Sequence, residues 1–272
     1  MKQTLSAILP SPILQTAKNT YDAIRRLPQV PDAYLHPWRR ESIRRLQAFK
    51  DVHKGERAFI IGNGPSLKQT DLSKLRNEFT FGMNRIYLLF PELGFTTTYF
   101  VSINDLVIEQ CAHEILKLPM PKFLAWHSHR YFPSTLQPAN LPTFLYTTYT
   151  GPKFAYDLTR RIWEGATVTN VALQLAFYMG FEKVILIGVD HNFTDKGQAN
   201  KTVVSTGDDP NHFSGSYFGK GFRWQLPDLD TSEIGYKKAR NAYQKAGREV
   251  LDATVGGKLT IFPKVEYNSL FK

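Results

Sequence analysis

Residues 62–67, Gly-Asn-Gly-Pro-Ser-Leu, are the part of this sequence best suited to contact a phosphate or a ribose. Gly62 and Gly64 would let backbone amides approach a ligand with no Cβ in the way. Asn63 can both donate and accept hydrogen bonds, and Ser66 adds a hydroxyl. The spacing fits neither the Walker A pattern nor the dinucleotide-binding fingerprint. An ordinary strand-to-helix turn also needs glycine, so the run indicates either a nucleotide site or a structural turn.

Polar side chains follow three other predicted strands at the point where each strand ends. Asn84 follows the second strand, Asn104 and Asp105 follow the third, and Asp190 follows a later, fully apolar strand. In open α/β sheets, ligands bind outside the carboxyl ends of the strands. We therefore expect these side chains to face the same crevice as the glycine-containing turn. Each of them taken alone is typical of a helix cap or a turn.

Carboxylates and a histidine offer two further kinds of chemistry. Asp190, Asp195 and Asp105 are the oxygen ligands that could hold Mg²⁺ beside a diphosphate. His212 lies in a polar, glycine-containing loop, where a histidine can act as a general base, although most loop histidines are merely exposed.

Two other groups of residues leave their roles open. His127 and His129 are two positions apart and would share one face of a strand, but no third ligand has convincing spacing, so zinc is not expected. Aromatic residues around Tyr217 lie near Lys220. They could stack on a base or sugar and contact phosphate, or cover the edge of the core.

The elements that must position these groups alternate between strand and helix. This alternation predicts an α/β fold with a Rossmann-like, mostly parallel sheet covered by helices on both faces. The predicted strands span 58–61, 79–83, 97–103, 122–126, 142–146, 184–187 and 259–262, and the predicted helices 41–49, 72–77, 106–116, 167–180 and 232–248.

The charge is concentrated at the N-terminus. The chain has 272 residues and a net charge of +10, and the first 50 residues contain nine basic and three acidic side chains. We expect residues 1–50 to form a basic extension, with a linker at 28–38, and residues 51–272 a single nucleotide-binding transferase domain. Residues 13–27 could form a basic amphipathic helix that lies on an anionic membrane or packs on the core.

Composition also bears on the compartment and on the partners. The only cysteine, Cys111, cannot form an intramolecular disulfide, which suits a reducing compartment, and its predicted helical setting indicates packing. No run of about 20 apolar residues is present. The sequence thus predicts a cytoplasmic protein, with possible contact at the inner face of the membrane. An oligomer is possible, and no nucleic-acid-binding motif is found.

The chain resembles bacterial sialyltransferase-like proteins and the related MptE-like (6-hydroxymethylpterin diphosphokinase-like) domain. The resemblance covers about residues 55–272, and its most specific motif is at 59–67. Weaker motifs follow in the same order, at 81–85, 101–104, 167–190 and 211–213.

The sialyltransferase branch implies metal-independent, inverting transfer of an acidic sugar from a CMP-activated donor to a glycan or lipid-linked acceptor, as in polysaccharide biosynthesis. By this resemblance the nucleotide contacts fall on the glycine-containing turn, the later strand ends and the start of a long helix, and the general base is His212. The nucleotide-binding residues so implied are Gly62, Asn63, Gly64, Ser66, Asn84, Asn104, Thr167, Thr169 and Asp190.

One departure from that branch concerns the leaving phosphate. Sialyltransferases have tyrosines soon after the Gly-x-Asp strand, where this chain has His191, Asn192 and Phe193. Tyr217, in the later loop, is the candidate substitute. Two other functions stay open. One is an MptE-like diphosphokinase that transfers pyrophosphate from ATP to a pterin alcohol with Mg²⁺, and the other is a non-catalytic nucleotide- or glycan-binding module.

Overall fold

A parallel, eight-stranded sheet forms the centre of the computed structural model, which describes residues 16–17, 20–21, 23–24, 27–149, 151, 153–194 and 197–271. Its strand order is β10-β7-β1-β2-β3-β4-β5-β6, and every pairing is parallel. The strands are β1 (Arg57–Ile61), β2 (Phe79–Met83), β3 (Tyr99–Ser102), β4 (Lys122–Ala125), β5 (Thr143–Thr148), β6 (Arg161–Trp163), β7 (Lys183–Ile187) and β10 (Glu249–Asp252). A separate antiparallel ribbon pairs β8 (Thr202–Val204) with β9 (Arg223–Gln225).

The α-helices whose two ends lie among the described residues cover both faces of this sheet. They are α1 (Gln29–Leu35), α2 (Pro37–Phe49), α3 (Phe90–Leu93), α4 (Asp105–Lys117), α5 (Val168–Met179) and α6 (Leu229–Lys245). Short 3₁₀ helices follow several strands, notably Pro65–Gln69 after β1 and Trp126–Tyr131 after β4. No helix in the described part of the chain combines the length and the apolar character needed to cross a bilayer.

The core lies on both faces of the sheet, because alternate residues of each buried strand point to opposite sides. On one face, Ile60 and Leu186 pack with α5 and α6. On the other, Phe59 and Ile187 pack with α4, where Cys111 is buried as expected. The Rossmann-like α/β fold with helices on both faces is therefore confirmed.

The order of the strands creates a crevice beside β1. From β1 to β6 the chain adds strands in one direction, and α5 then returns across the sheet so that β7 pairs with the other side of β1. Helix α5 is apolar enough to pack against the sheet, and nearly all its side chains are buried. It ends at Gly180, whose φ of 99° lies in the left-handed region. Such a reversal point is where open α/β sheets bind ligands.

Three predicted elements differ from the structure. The helix expected at 72–77 is the short 3₁₀ helix Leu72–Leu75. The expected linker at 28–38 contains α1 and the start of α2, because Pro37 occupies the first turn of α2, where a missing N–H costs nothing. The last strand is β10, and the predicted strand at 259–262 forms no ladder. Leu259 and Phe262 are nevertheless buried, so the apolar run reflects burial without strand pairing.

The N-terminal predictions are only partly covered. Most of the predicted helix at 13–27 lies outside the described residues. The division at residue 50 stays a prediction, although α2 lies before it and packs on β5 through contacts that include the buried Ser42, whose Oγ accepts a hydrogen bond from the Phe144 amide at 2.9 Å.

Candidate functional site

A cavity of about 570 Å³ opens at the carboxyl ends of the strands, over the junction of β1 and β7. Nine residues that the sequence assigned to the site line it together with Asp105: Gly62, Asn63, Gly64, Asn84, Asn104, Thr167, Thr169, Asp190 and His212. Ser66 and Tyr217 are buried behind the wall, and Asp195 lies outside the described residues. The asparagines and the histidine, far apart in sequence, thus converge on one cavity.

The turn after β1 is fastened to the turn after β7. The amide of Gly62 donates to the carbonyl of Ile187 at 2.7 Å, and the amide of Gly64 donates to the carbonyl of Gly188 at 2.9 Å. A Cβ on Gly64 would stand 1.8 Å from Oδ2 of Asp190. These two amides are therefore not free to bind a phosphate, and glycine is needed here because two turns pack closely.

Asp190 fixes the same junction from the other side. Its Oδ1 accepts from the Ser66 amide at 3.1 Å, and its Oδ2 accepts from the Ser66 hydroxyl at 2.7 Å. Ser66 is 3% exposed, so neither of its donors has ready access to water. The carboxylate therefore holds the start of the 3₁₀ helix Pro65–Gln69.

The three asparagines present amide groups to the cavity. Asn63 Nδ2 donates to the Met83 carbonyl at 3.1 Å, which leaves its buried Oδ1 without a partner among the described residues. Asn84, at φ 51°, accepts from Ser102 through Oδ1 at 2.9 Å. Asn104 caps α4 through Oδ1. The Nδ2 groups of Asn84 and Asn104 have no partner in the described part of the chain, so they are the two side-chain amide donors that the asparagines offer to a ligand.

His212 is held by a carboxylate that sequence reasoning did not select. Oδ2 of Asp209 lies 2.7 Å from Nδ1 of His212, and Asp209 is 8% exposed. The Phe213 amide donates to the Asn63 carbonyl at 2.8 Å and so fastens this loop to the turn after β1. An Asp209 that accepts from Nδ1–H leaves Nε2 as the basic nitrogen. The only signal in the sequence was the separation of three residues between the two side chains.

Tyr217 lies beneath the histidine and does not reach the cavity. Its ring stacks on the His212 ring at 4.0 Å with the planes 5° apart, and it is fully buried. Burial raises the pKa of Tyr217 far above its usual range. Its hydroxyl accepts from the Arg85 amide at 3.2 Å. It therefore supports the imidazole, and a direct contact with a leaving phosphate is not found in this arrangement.

Two helices begin at the cavity wall. Thr167 caps α5, its Oγ1 accepting from the Thr169 amide at 3.3 Å, after Gly165 and Ala166 turn the chain at φ 57° and 55°. Helix α4 begins beside Asn104. The N-termini of both helices carry partial positive charge, which favours an anionic group between them.

A polar group missed by the sequence analysis forms the far wall. Tyr149 donates to Asp228 and accepts from Asn200 Nδ2 at 2.7 Å. Burial, and then Asp228, raise the pKa of Tyr149 to about 12. Burial alone would raise the pKa of Asp228, but hydrogen bonds from Tyr149 and Thr231 outweigh it and lower that pKa. Nothing in the local sequence connects these positions, which are brought together by the fold.

The cavity differs in charge from the protein as a whole. Its lining includes Asp105, Glu164, Asp190 and Asp228, and no Lys or Arg from the described residues. Lys220, considered from the sequence as a phosphate contact, is exposed and does not line it. Despite the net charge of +10, a negative charge on a ligand here would be offset by side-chain amides and helix N-termini.

A metal ion has few ligands to bind here. Both oxygens of Asp190 accept from Ser66, and Oδ2 of Asp105 accepts from Arg130 at 2.6 Å and from Tyr131 at 2.8 Å. No three described His, Cys, Asp or Glu residues of the lining bring ligand atoms within 4.8 Å of one another. The described part of the lining therefore has no preformed cluster of three such ligands.

Comparison with known proteins supports one family. The family model described as "6-hydroxymethylpterin diphosphokinase MptE-like" matches residues 36–196, more than half of the chain. No curated protein matches significantly. The MAf glycosyltransferase of Magnetospirillum magneticum AMB-1 has a similar structure at a TM-score of 0.45 and 12% identity, over 84% of this chain and 38% of its own. The chain thus spans well under half of that protein. On the family match, the protein belongs to the MptE-like family, whose namesake is a transferase.

Proposed function

We propose that the protein transfers an acidic sugar from a CMP-activated donor to a hydroxyl group of a glycan or lipid-linked acceptor, with His212 as general base. The observation that carries the proposal is the Asp209–His212 pair at the wall of a cavity lined by three asparagine amides. A histidine at a cavity, with Nδ1 fixed and with no partner for Nε2 among the described residues, is the arrangement that general-base catalysis requires.

The reaction is a single displacement. Nε2 of His212 removes the proton of the acceptor hydroxyl while the hydroxyl oxygen attacks the anomeric carbon. The bond between that carbon and the phosphate oxygen breaks, its electron pair stays on CMP, and the anomeric configuration inverts. Asp209 holds the ring and stabilises the imidazolium that forms. Donors on Asn84 and Asn104 and the start of α5 offset charge on the departing phosphate.

Charge favours a CMP-linked donor over ATP. A CMP-linked sugar carries one phosphate, whereas ATP carries three that ordinarily need Mg²⁺ and basic side chains. The described lining supplies no Lys, no Arg and no carboxylate cluster. Amide donors and two helix N-termini suit a smaller charge. The proposed reaction uses no metal ion.

The family match favours a second candidate function. Under this second candidate, His212, which lies beyond the matched residues 36–196, would take the proton of a pterin alcohol, and the alcohol oxygen would attack the β-phosphorus of ATP with release of AMP. Mg²⁺ would then need ligands beyond Asp190 and Asp105, for which Asp195, outside the described residues, is the remaining residue named from the sequence. Binding of nucleotide with no turnover on any donor would instead favour a non-catalytic binding module.

Calorimetry with CMP and with ATP–Mg²⁺, combined with turnover assays of His212→Ala, tests the proposal. We expect CMP to bind the wild type and the variant with similar affinity, and turnover of a CMP-sugar to fall at least about 100-fold in the variant. His113→Ala, an exposed change on α4, serves as the control. The proposal would be refuted if the protein bound ATP–Mg²⁺ but not CMP, or if His212→Ala kept near wild-type turnover.

The cellular setting is proposed along with the reaction. An acceptor in polysaccharide biosynthesis would be met in the cytoplasm at the inner face of the membrane, with residues 1–50 in contact with anionic lipid. Co-sedimentation with liposomes that contain anionic lipid compares the whole chain with one that lacks residues 1–28, a deletion that removes four basic residues and leaves α1 and α2 intact. Equal binding by the two would contradict a membrane role for that segment.

A further inference from the structure

A second cluster of ionisable side chains lies away from the cavity, where the N-terminal helices meet the end of β4. Asp32, His36 and His129 bring ligand atoms within 4.8 Å of one another, and none of the three lines the cavity. In the sequence, His129 lies two positions from His127, and no third metal ligand stands at a convincing spacing from them. The fold separates those two histidines, since His127 faces the cavity, and places Asp32 and His36 beside His129.

The backbone fixes the geometry of two of the ligands. Asp32 and His36 are four residues apart at the end of α1, where the His36 amide donates to the Asp32 carbonyl at 3.2 Å. Residues with that separation project from the same face of a helix. His36 also ends α1 and precedes Pro37, the first residue of α2, so its position is set by both helices.

The His129 ring is held in the orientation that metal-binding histidines adopt. Its Nδ1 lies 2.8 Å from the Trp126 carbonyl, and the ring stacks on the Trp126 indole at 3.9 Å with the planes 6° apart. A donor bond from Nδ1–H to a carbonyl fixes the tautomer and leaves Nε2 as a ligand. That Nε2 lies 4.0 Å from Oδ2 of Asp32.

We propose that Asp32, His36 and His129 bind a divalent transition-metal ion of the Zn²⁺ type, with water completing a tetrahedral site. Two imidazoles and a carboxylate are ligands that Zn²⁺ and Co²⁺ accept. Tetrahedral ligands lie about 3.4 Å apart, so Asp32 and His129 must approach by about 0.6 Å. Asp32 is exposed and can move, and His36 gives up the hydrogen bond that its Nδ1 accepts from the Trp38 amide at 3.2 Å.

The site has a structural role that does not depend on the reaction in the cavity. An ion there would join the α1–α2 corner to the 3₁₀ helix that follows β4, two segments far apart in the chain. An ion that binds the folded protein but not the unfolded chain stabilises the folded protein by mass action. Zn²⁺ is therefore expected to raise the melting temperature of the purified protein, and the increase is expected to vanish in variants of the three ligands.

Co²⁺ titration of the whole protein, followed by visible absorption and tryptophan fluorescence, tests the site. Tetrahedral Co²⁺ absorbs visible light, and the His36 ring lies 5.1 Å from Trp126, so binding should also quench fluorescence. We expect one Co²⁺ per chain, displaced by Zn²⁺. His129→Gln and Asp32→Asn should each lower the affinity at least about tenfold.

Two histidine variants distinguish this site from metal binding elsewhere on the chain. His113→Gln, exposed on α4, and His127→Gln, in the cavity wall, should bind Co²⁺ like the wild type. Melting of metal-free variants by circular dichroism verifies that each is folded. No stoichiometric binding by the wild type, unchanged affinity in His129→Gln, or loss of binding in His127→Gln would overturn the proposal.

Discussion

Replacement of Asp190 distinguishes a structural carboxylate from a metal ligand. In Asp190→Ala, the Ser66 amide and hydroxyl lose their acceptors, which lie at 3.1 and 2.7 Å. Hydrogen bonds to a charged group contribute about 1.5–3 kcal/mol each, and Ser66 is too buried to exchange them freely for water. We expect a loss of about 3 kcal/mol in the free energy of unfolding.

Asp190→Asn is the matched variant because it keeps the shape of the side chain. Its Oδ1 can still accept from the Ser66 amide, and its Nδ2 can donate to the rotated hydroxyl, so we expect a loss of about 1 kcal/mol. The measurement is equilibrium unfolding in urea. Thermal melting should show a decrease of about 6 °C for Asp190→Ala. Asp208→Ala, an exposed carboxylate nearby, should change stability by less than about 0.5 kcal/mol.

The opposite pattern would refute this reasoning. If Asp190 were a metal ligand instead, the metal-free variants would be as stable as the metal-free wild type. Nucleotide binding that depends on Mg²⁺ would be lost in both variants. Unchanged stability in both variants, together with loss of such binding, would therefore replace the structural role with metal coordination.

Three further predictions concern the same cavity. Gly64→Ala should lower the free energy of unfolding by at least about 2 kcal/mol in urea titrations, since its Cβ would stand 1.8 Å from Asp190 Oδ2. Asp209→Asn should lower turnover at least about tenfold with unchanged CMP affinity, because Asp209 fixes the base. In Tyr149→Phe, stability should fall less steeply from pH 10 to 12. The pKa of Tyr149 is about 10 in the unfolded chain and about 12 in the folded protein. The neutral phenol therefore stabilises the fold fully below pH 10, and this contribution is lost as the pH rises toward about 12.

Each of these three variants has a result that would contradict its prediction. Gly219→Ala, with no atom closer than 3.9 Å to the new Cβ, should be nearly neutral, and equal losses at both glycines would contradict the packing argument. Full turnover in Asp209→Asn would show that the base needs no carboxylate. Identical alkaline unfolding curves for Tyr149→Phe and wild type would contradict the raised pKa.

Much of the fold follows from the sequence because apolar runs mark buried strands. The strand Phe79–Met83 agrees with its prediction at both ends. The failures have physical causes. The run 259–262 is apolar because it is buried, but pairing also depends on a free sheet edge, which β10 occupies with the more polar Glu249–Asp252.

The sequence predicts part of the cavity lining but little of the hydrogen bonding within it. Polar residues at strand ends identify one side of the lining, whereas the far wall around Tyr149 and Asp228 was not predicted. The contacts between the two turns depend on the strand order, because Asp190 reaches Ser66 only when β7 pairs with β1. The Asp209–His212 pair and the stacking of Tyr217 depend on a loop conformation that no periodicity encodes.

A crystal structure of the protein with CMP tests the central claim most directly. We predict the phosphate in the cavity over the β1–β7 junction, within hydrogen-bonding distance of Asn84 or Asn104, with His212 Nε2 facing the space beyond it. CMP bound on another surface, with this cavity left to solvent, would contradict the account.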